Sequence, residues 1–75
     1  MNTLNKMELI KTPSFNAMEN LADVLSQNNK NFSFDQIYNK VGKYLVSSGS
    51  KNFVELYNDV AKNKNYTKAF TILNL

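Results

Sequence analysis

The sequence predicts an all-α fold, a small bundle of three main helices and a short C-terminal helix in one domain that spans residues 1–75. Apolar residues recur at intervals of three and four in three separate stretches, which is the period of an amphipathic helix. Side chains that cap helices precede these stretches, and glycine or asparagine follows them. Because no repeat or linker divides the chain, we expect a single core.

The N-terminal residues carry few structural signals. We expect residues 1–6 to be a flexible leader. The stretch 7–12 fits either a short strand or one helical turn. Thr12-Pro13 marks a boundary, because proline disfavours helix in the residue before it and suits the first helical position.

The first helix is predicted over Pro13–Gln27, with Thr12 or Ser14 as its cap. Ala17 and Val24 widen its apolar stripe to about half of the helix circumference. Such a helix either packs on two sides or offers surplus apolar surface to a partner. The stripe itself consists of Phe15, Met18, Leu21, Ala22 and Leu25.

The stretch 32–49 predicts the central helix. Ser33 fits an N-cap, and Gln36 completes the S-x-x-Q form of a capping box. Gly49 ends the helix, since glycine adopts a left-handed conformation without a steric clash. Gly42 costs about 1 kcal/mol inside a helix, so it is either a tolerated weakness or a point of close approach by a neighbouring helix. The stripe consists of Phe34, Ile37, Tyr38, Val41 and Leu45.

A third helix is predicted to begin at Ser50 or Asn52. Asn52 with Glu55 repeats the spacing of a capping box, and residues 63–65 end the helix. Its stripe consists of Phe53, Leu56, Tyr57, Val60 and Ala61. The aromatic residues at helical spacing are expected in the core, namely Phe15, Phe32, Phe34, Tyr38, Phe53, Tyr57 and Phe70.

The last segment, residues 66–75, fits two structures. Its apolar residues suit a short helix, which we favour, but its tyrosine, threonine, phenylalanine and isoleucine also have high strand propensity. The alternative fold is therefore α+β, with strands at 8–11 and 70–73 paired beside three helices.

The composition argues against catalysis. The chain has no cysteine and no histidine, which removes disulfides, thiolate metal sites, the commonest zinc ligand and the commonest general base. Two carboxylate pairs lie at helical i, i+4 spacing, Glu19 with Asp23 and Glu55 with Asp59. We interpret them as solvated helix faces, with Lys62 placed to neutralise Asp59. We therefore expect that the protein is not an enzyme and that it binds no metal ion and no cofactor.

Charge is distributed unevenly along the chain, whose net charge is +3. Residues 1–29 carry two lysines and three acids, and residues 30–75 carry seven lysines and three acids. A nucleic-acid-associated protein is therefore an alternative, but every cation is lysine, which lacks the bidentate chemistry of arginine. The candidate contacts are Lys40, Lys43, Lys62 and Lys64.

The favoured function is protein binding through an apolar helical face. Val24 and Val46 are apolar residues on the polar sides of their helices, and with Leu21 and Ala17 they form the predicted partner surface. We expect a small regulator or a phage-type inhibitor of a host protein, and self-association into a homodimer would suit so short a chain. No apolar run approaches the ~18 residues of a membrane span, so we expect a cytoplasmic protein, in the host cytoplasm if it is viral.

Overall fold

A computed structural model describes residues 7–75. The predicted all-α bundle is confirmed, and the α+β alternative is wrong, since residues 7–75 contain no strand. The predicted leader lies outside the described residues. The helices are α1 (Phe15–Gln27), α2 (Phe34–Ser48), α3 (Ser50–Asn63) and α4 (Tyr66–Leu73).

Side-chain caps fix the starts of α1 and α2. Ser14 Oγ accepts a hydrogen bond from the amide of Ala17 at 3.0 Å. The predicted capping box of α2 is present: Ser33 Oγ accepts from the amide of Gln36 at 3.2 Å, and Gln36 Oε1 accepts from the amide of Ser33 at 2.8 Å. These bonds satisfy amides that have no partner within the helix.

Gly49 is the entire link between α2 and α3. Its φ of 93° and ψ of 165° lie at positive φ but outside the left-handed helical region that was predicted. The conformation lets one residue end α2 and begin α3. The predicted capping pattern at Asn52 is not used, because α3 begins at Ser50 and the Asn52 side chain donates to the carbonyl of Ser48 at 2.8 Å.

Left-handed residues bound α4. Lys64, with φ of 54°, turns the chain after α3, and the Asn65 side chain accepts from the amide of Lys68 at 3.4 Å. Asn74, with φ of 62°, ends the helix. The favoured prediction of a C-terminal helix is confirmed, and its buried Ala69 anchors it on the core.

The segment 7–13 is neither the strand nor the helical turn that the sequence suggested. Its backbone is held instead by Asn58 of α3. The amide of Ile10 donates to Asn58 Oδ1 at 2.8 Å, and Asn58 Nδ2 donates to the carbonyl of Ile10 at 3.0 Å. The side chain of Asn58 thus satisfies the amide and the carbonyl of Ile10, which a neighbouring strand would otherwise pair.

All four helices contribute to the core, and Ile37 and Val41 of α2 are fully buried within it. Of the predicted core aromatics, Phe53 and Tyr57 are buried, whereas Phe15 and Phe34 are exposed. The remaining three, Phe32, Tyr38 and Phe70, are half-buried against the core. None of the helices in the described part of the chain is long and apolar enough to cross a bilayer.

Candidate functional site

Two of the most exposed large apolar side chains meet in one open groove between α1 and α2, of about 880 Å³. Val46 is 87% exposed and Phe15 is 77% exposed. The apolar lining of this α1/α2 groove is Phe15, Met18, Tyr38, Leu45 and Val46. Its polar lining is Asp35, Asn39, Lys43 and Ser47. The groove is therefore lined by both apolar and polar side chains.

The groove exists because the link 28–33 brings α2 back along α1. The start of α1 lies beside the end of α2, where Phe15 and Leu45 line the same concave surface. At the other end, Phe34 stacks on Tyr38 with ring centroids 5.7 Å apart. Phe34 is 38% exposed, so an aromatic surface continues beyond the groove.

Gly42 lies in the wall of the groove. A Cβ built there meets only the terminal methyl of Met18 at 3.5 Å, which is ordinary van der Waals contact. No helix in residues 7–75 therefore requires a glycine at this position. The residue costs helix stability and lines the groove beside Met18.

The predicted partner surface is only partly correct. Val46 is exposed and lines the groove. Ala17, Leu21 and Val24 are 2%, 0% and 3% exposed, so they belong to the core and their prediction as partner contacts is wrong. At about 100° per residue, Val24 lies only about 60° from the centre of the buried face at Leu21.

Phe15 is the functional candidate that the sequence analysis misassigned to the core. The same helical geometry places it about 120° from Leu21, on the opposite side of the buried face from Val24. The angle alone does not predict this exposure, because Ala22 lies about 100° from Leu21 on the same side and is fully buried. Phe15 differs in being the first residue of α1.

The four candidate lysines do not form one surface. Lys40 and Lys43, with Tyr44, line a shallow depression of about 200 Å³ between α2 and α4. Lys62 lies exposed in the last turn of α3, and Lys64 lies in the link to α4, both outside this depression. Of the four candidate lysines, Lys40 and Lys43 thus lie together in one depression.

Asp59 forms the only ion pair within residues 7–75. Lys68 Nζ of α4 lies 3.0 Å from its Oδ2, and Asn63 Nδ2 donates to its Oδ1 at 2.7 Å. The predicted partner Lys62 was wrong, since a residue from the next helix takes that place. The Asn63 hydrogen bond and then Lys68 lower the pKa of the Asp59 carboxyl below its usual value. The pair joins α4 to α3.

No metal-ligand cluster is found in the described part of the chain, where no three histidine, cysteine or acidic residues are grouped to hold an ion. Comparison with protein-family models, with curated proteins and with solved structures finds no match to this chain.

Proposed function

We propose that this protein is a non-catalytic protein-binding module, a small regulator or phage-type inhibitor that recognises another protein through the α1/α2 groove. The observation that supports this proposal is the exposure of Phe15 and Val46 on one groove. A chain of 75 residues has little apolar surface to spare from its core. Contiguous exposed apolar residues commonly mark a binding surface.

The anatomy of the groove suits protein recognition. Fully buried interface centres are apolar and aromatic, while their rims are polar. Here Phe15, Val46 and the stacked Tyr38 supply apolar and aromatic surface, and Asn39 and Ser47 supply neutral hydrogen-bonding groups in the same groove. Aromatic anchors of this kind contribute much of the binding energy in protein interfaces.

The shape of the groove favours a helix or an extended segment of the partner. Two adjacent helices leave a furrow along which an amphipathic helix can lay its apolar side chains. Gly42 adds no side chain of its own to the wall, where the flexible Met18 side chain is the neighbour within 4 Å of its Cβ position. The chemistry expected of the partner is thus a row of apolar side chains flanked by polar ones.

Site-specific photo-crosslinking tests the proposal. A photoreactive amino acid at position 46 is expected to give a discrete crosslinked species in the native host, and Phe15→Ser in the same chain should abolish it. The matched control carries the same amino acid at Lys62, which is exposed on a helix outside the groove. Equal crosslinking from both positions, or from neither, would contradict the proposed surface.

The second candidate function is nucleic-acid association, supported by the grouping of Lys40, Lys43 and Tyr44 at one depression. Lysines follow a phosphate backbone, and a tyrosine ring can stack on a base. Fluorescence anisotropy with single-stranded and duplex DNA at low salt tests this reading. If it is right, Lys40→Glu/Lys43→Glu abolishes binding, while Lys62→Glu/Lys64→Glu, with the same change in charge, does not. Absence of binding at low salt would rule it out.

A further inference from the structure

One row of residues on α2 has a spacing that suits contact with a copy of itself. Asp35, Asn39, Gly42 and Val46 follow one another at intervals of four, three and four, and all line the α1/α2 groove. This is the spacing of a helix–helix seam. It is the same in both directions along the helix. Two such rows can therefore face each other in an antiparallel pair related by a two-fold axis.

From this row we infer that a second copy of this chain occupies the α1/α2 groove of the free protein, with the two α2 helices antiparallel. The inference rests on the proposed function, because it uses the same surface. If a second copy occupies the groove, a protein partner must displace that copy in order to bind. Self-association thereby regulates access to the groove.

The central positions of the row permit close approach of two helices. In the antiparallel arrangement, Gly42 of each copy lies opposite Asn39 of the other. The absence of a Cβ allows the backbones to come close, and within the chain only the Met18 methyl approaches that position. The glycine that the monomer does not require thus has a role between copies.

The charges of the groove complement those of a second copy. Asp35 and Lys43 both line it, eight residues and hence about 12 Å apart along α2. Neither forms an ion pair within residues 7–75, where only Lys68 and Asp59 do. Reversing the helix direction places Asp35 of each copy opposite Val46 of the other, and Lys43 lies one turn from Val46, about 4.5 Å along the axis and within reach of the long lysine side chain. Complementary charge of this kind sets the orientation of an interface.

Val46, the exposed apolar residue of the row, is covered at each end. Val46 of each copy enters the hollow beside Asp35 and Tyr38 of the other, so that its 87% exposed side chain meets an aromatic ring. α2 has 15 residues and is about 22 Å long, so the shared surface is at the small end of specific interfaces, about 1,000 Å² in total. We expect a dissociation constant on the order of micromolar or weaker.

Sedimentation equilibrium from about 10 µM to about 1 mM tests the inference across this affinity range. The wild-type chain should show a monomer–dimer equilibrium. Asp35→Lys and Lys43→Asp should each weaken association about tenfold or more, because each brings like charges close together across the interface. The double variant, or an equal mixture of the two single variants, should restore it. Lys51→Asp changes the net charge as Lys43→Asp does but lies outside the groove, and should have no effect.

Two results would overturn the inference. One is a wild-type chain that stays monomeric at the highest concentration. The other is a dimer that neither charge reversal weakens, with circular dichroism showing each variant folded. Either result leaves the proposed function open to its own test, since crosslinking at position 46 to a different protein does not depend on self-association.

Discussion

Val24 and Phe15 are the two residues of α1 whose burial decides which margin of its apolar stripe is free. Val24 is 3% exposed and packs in the core, whereas Phe15 is 77% exposed and lines the groove. Both residues extend the apolar stripe of α1, on opposite sides of Leu21. The periodicity of a helix identifies the stripe, but its width alone does not say which margin is covered.

The burial of Val24 predicts a severe effect of Val24→Asp. A charge placed there has no partner in the core, so we expect a loss of about 4 kcal/mol or more and no cooperative unfolding transition. Asn20→Asp adds the same charge at an exposed position of α1 and should change the free energy of unfolding by less than about 0.5 kcal/mol. Urea denaturation followed by circular dichroism measures both. A cooperative transition in Val24→Asp would show that the residue is not buried.

Gly42 predicts the opposite change in stability. Alanine is the better helix former, and its methyl group would make only an ordinary contact with Met18 at 3.5 Å. Gly42→Ala should therefore raise the free energy of unfolding by about 0.5–1 kcal/mol. A decrease in the same urea measurement would mean that a neighbouring group does require the glycine.

At the scale of the element, α2 was the most predictable helix because its start is encoded by local hydrogen bonds. Ser33 and Gln36 form the capping box that their spacing predicts. The start of α3 was less predictable, since Gly49 supplies no side-chain cap and serves two helices at once. The end of α3 at residues 63–65 was predicted, but the left-handed conformation of Lys64 was not, because lysine has no local preference for it.

The ion pair between α3 and α4 predicts a specific dependence of stability on pH. The pKa of Asp59 is lowered in the folded chain by Asn63 and Lys68, so the charged form favours folding. This contribution is present above the unfolded pKa near 3.9 and is lost as the pH falls through the lower folded pKa. In Asp59→Asn, the free energy of unfolding should fall less steeply with decreasing pH below about 4.

Urea denaturation at a series of pH values between about 2 and 6 measures that slope. Glu55→Gln is the matched control, since Glu55 lies one turn earlier on α3 and has no ion-pair partner within the described residues. A slope for Asp59→Asn that matches the wild-type slope would show that the pair does not couple α4 to α3.

At the scale of the whole molecule, the fold class followed from the sequence while the candidate site did so only in part. Stripes and caps identified three helices and favoured a fourth over a strand, because these signals are local. Exposure depends on how each helix is rotated against its neighbours, and this is a property of the assembled bundle. Val46 was identified because it lies far from its stripe, and Phe15 was not, because it lies at the margin of one.

The proposed role of Phe15 and Val46 in binding requires that folding does not depend on their side chains. The free energy of unfolding of Phe15→Ser/Val46→Ser tests this most directly, because serine has nearly the helix propensity of the residues it replaces. Measured at about 1 µM protein, where self-association is negligible, it should lie within about 0.5 kcal/mol of the wild-type value. A loss of more than about 2 kcal/mol would contradict the claim, because it would show that these side chains belong to the core.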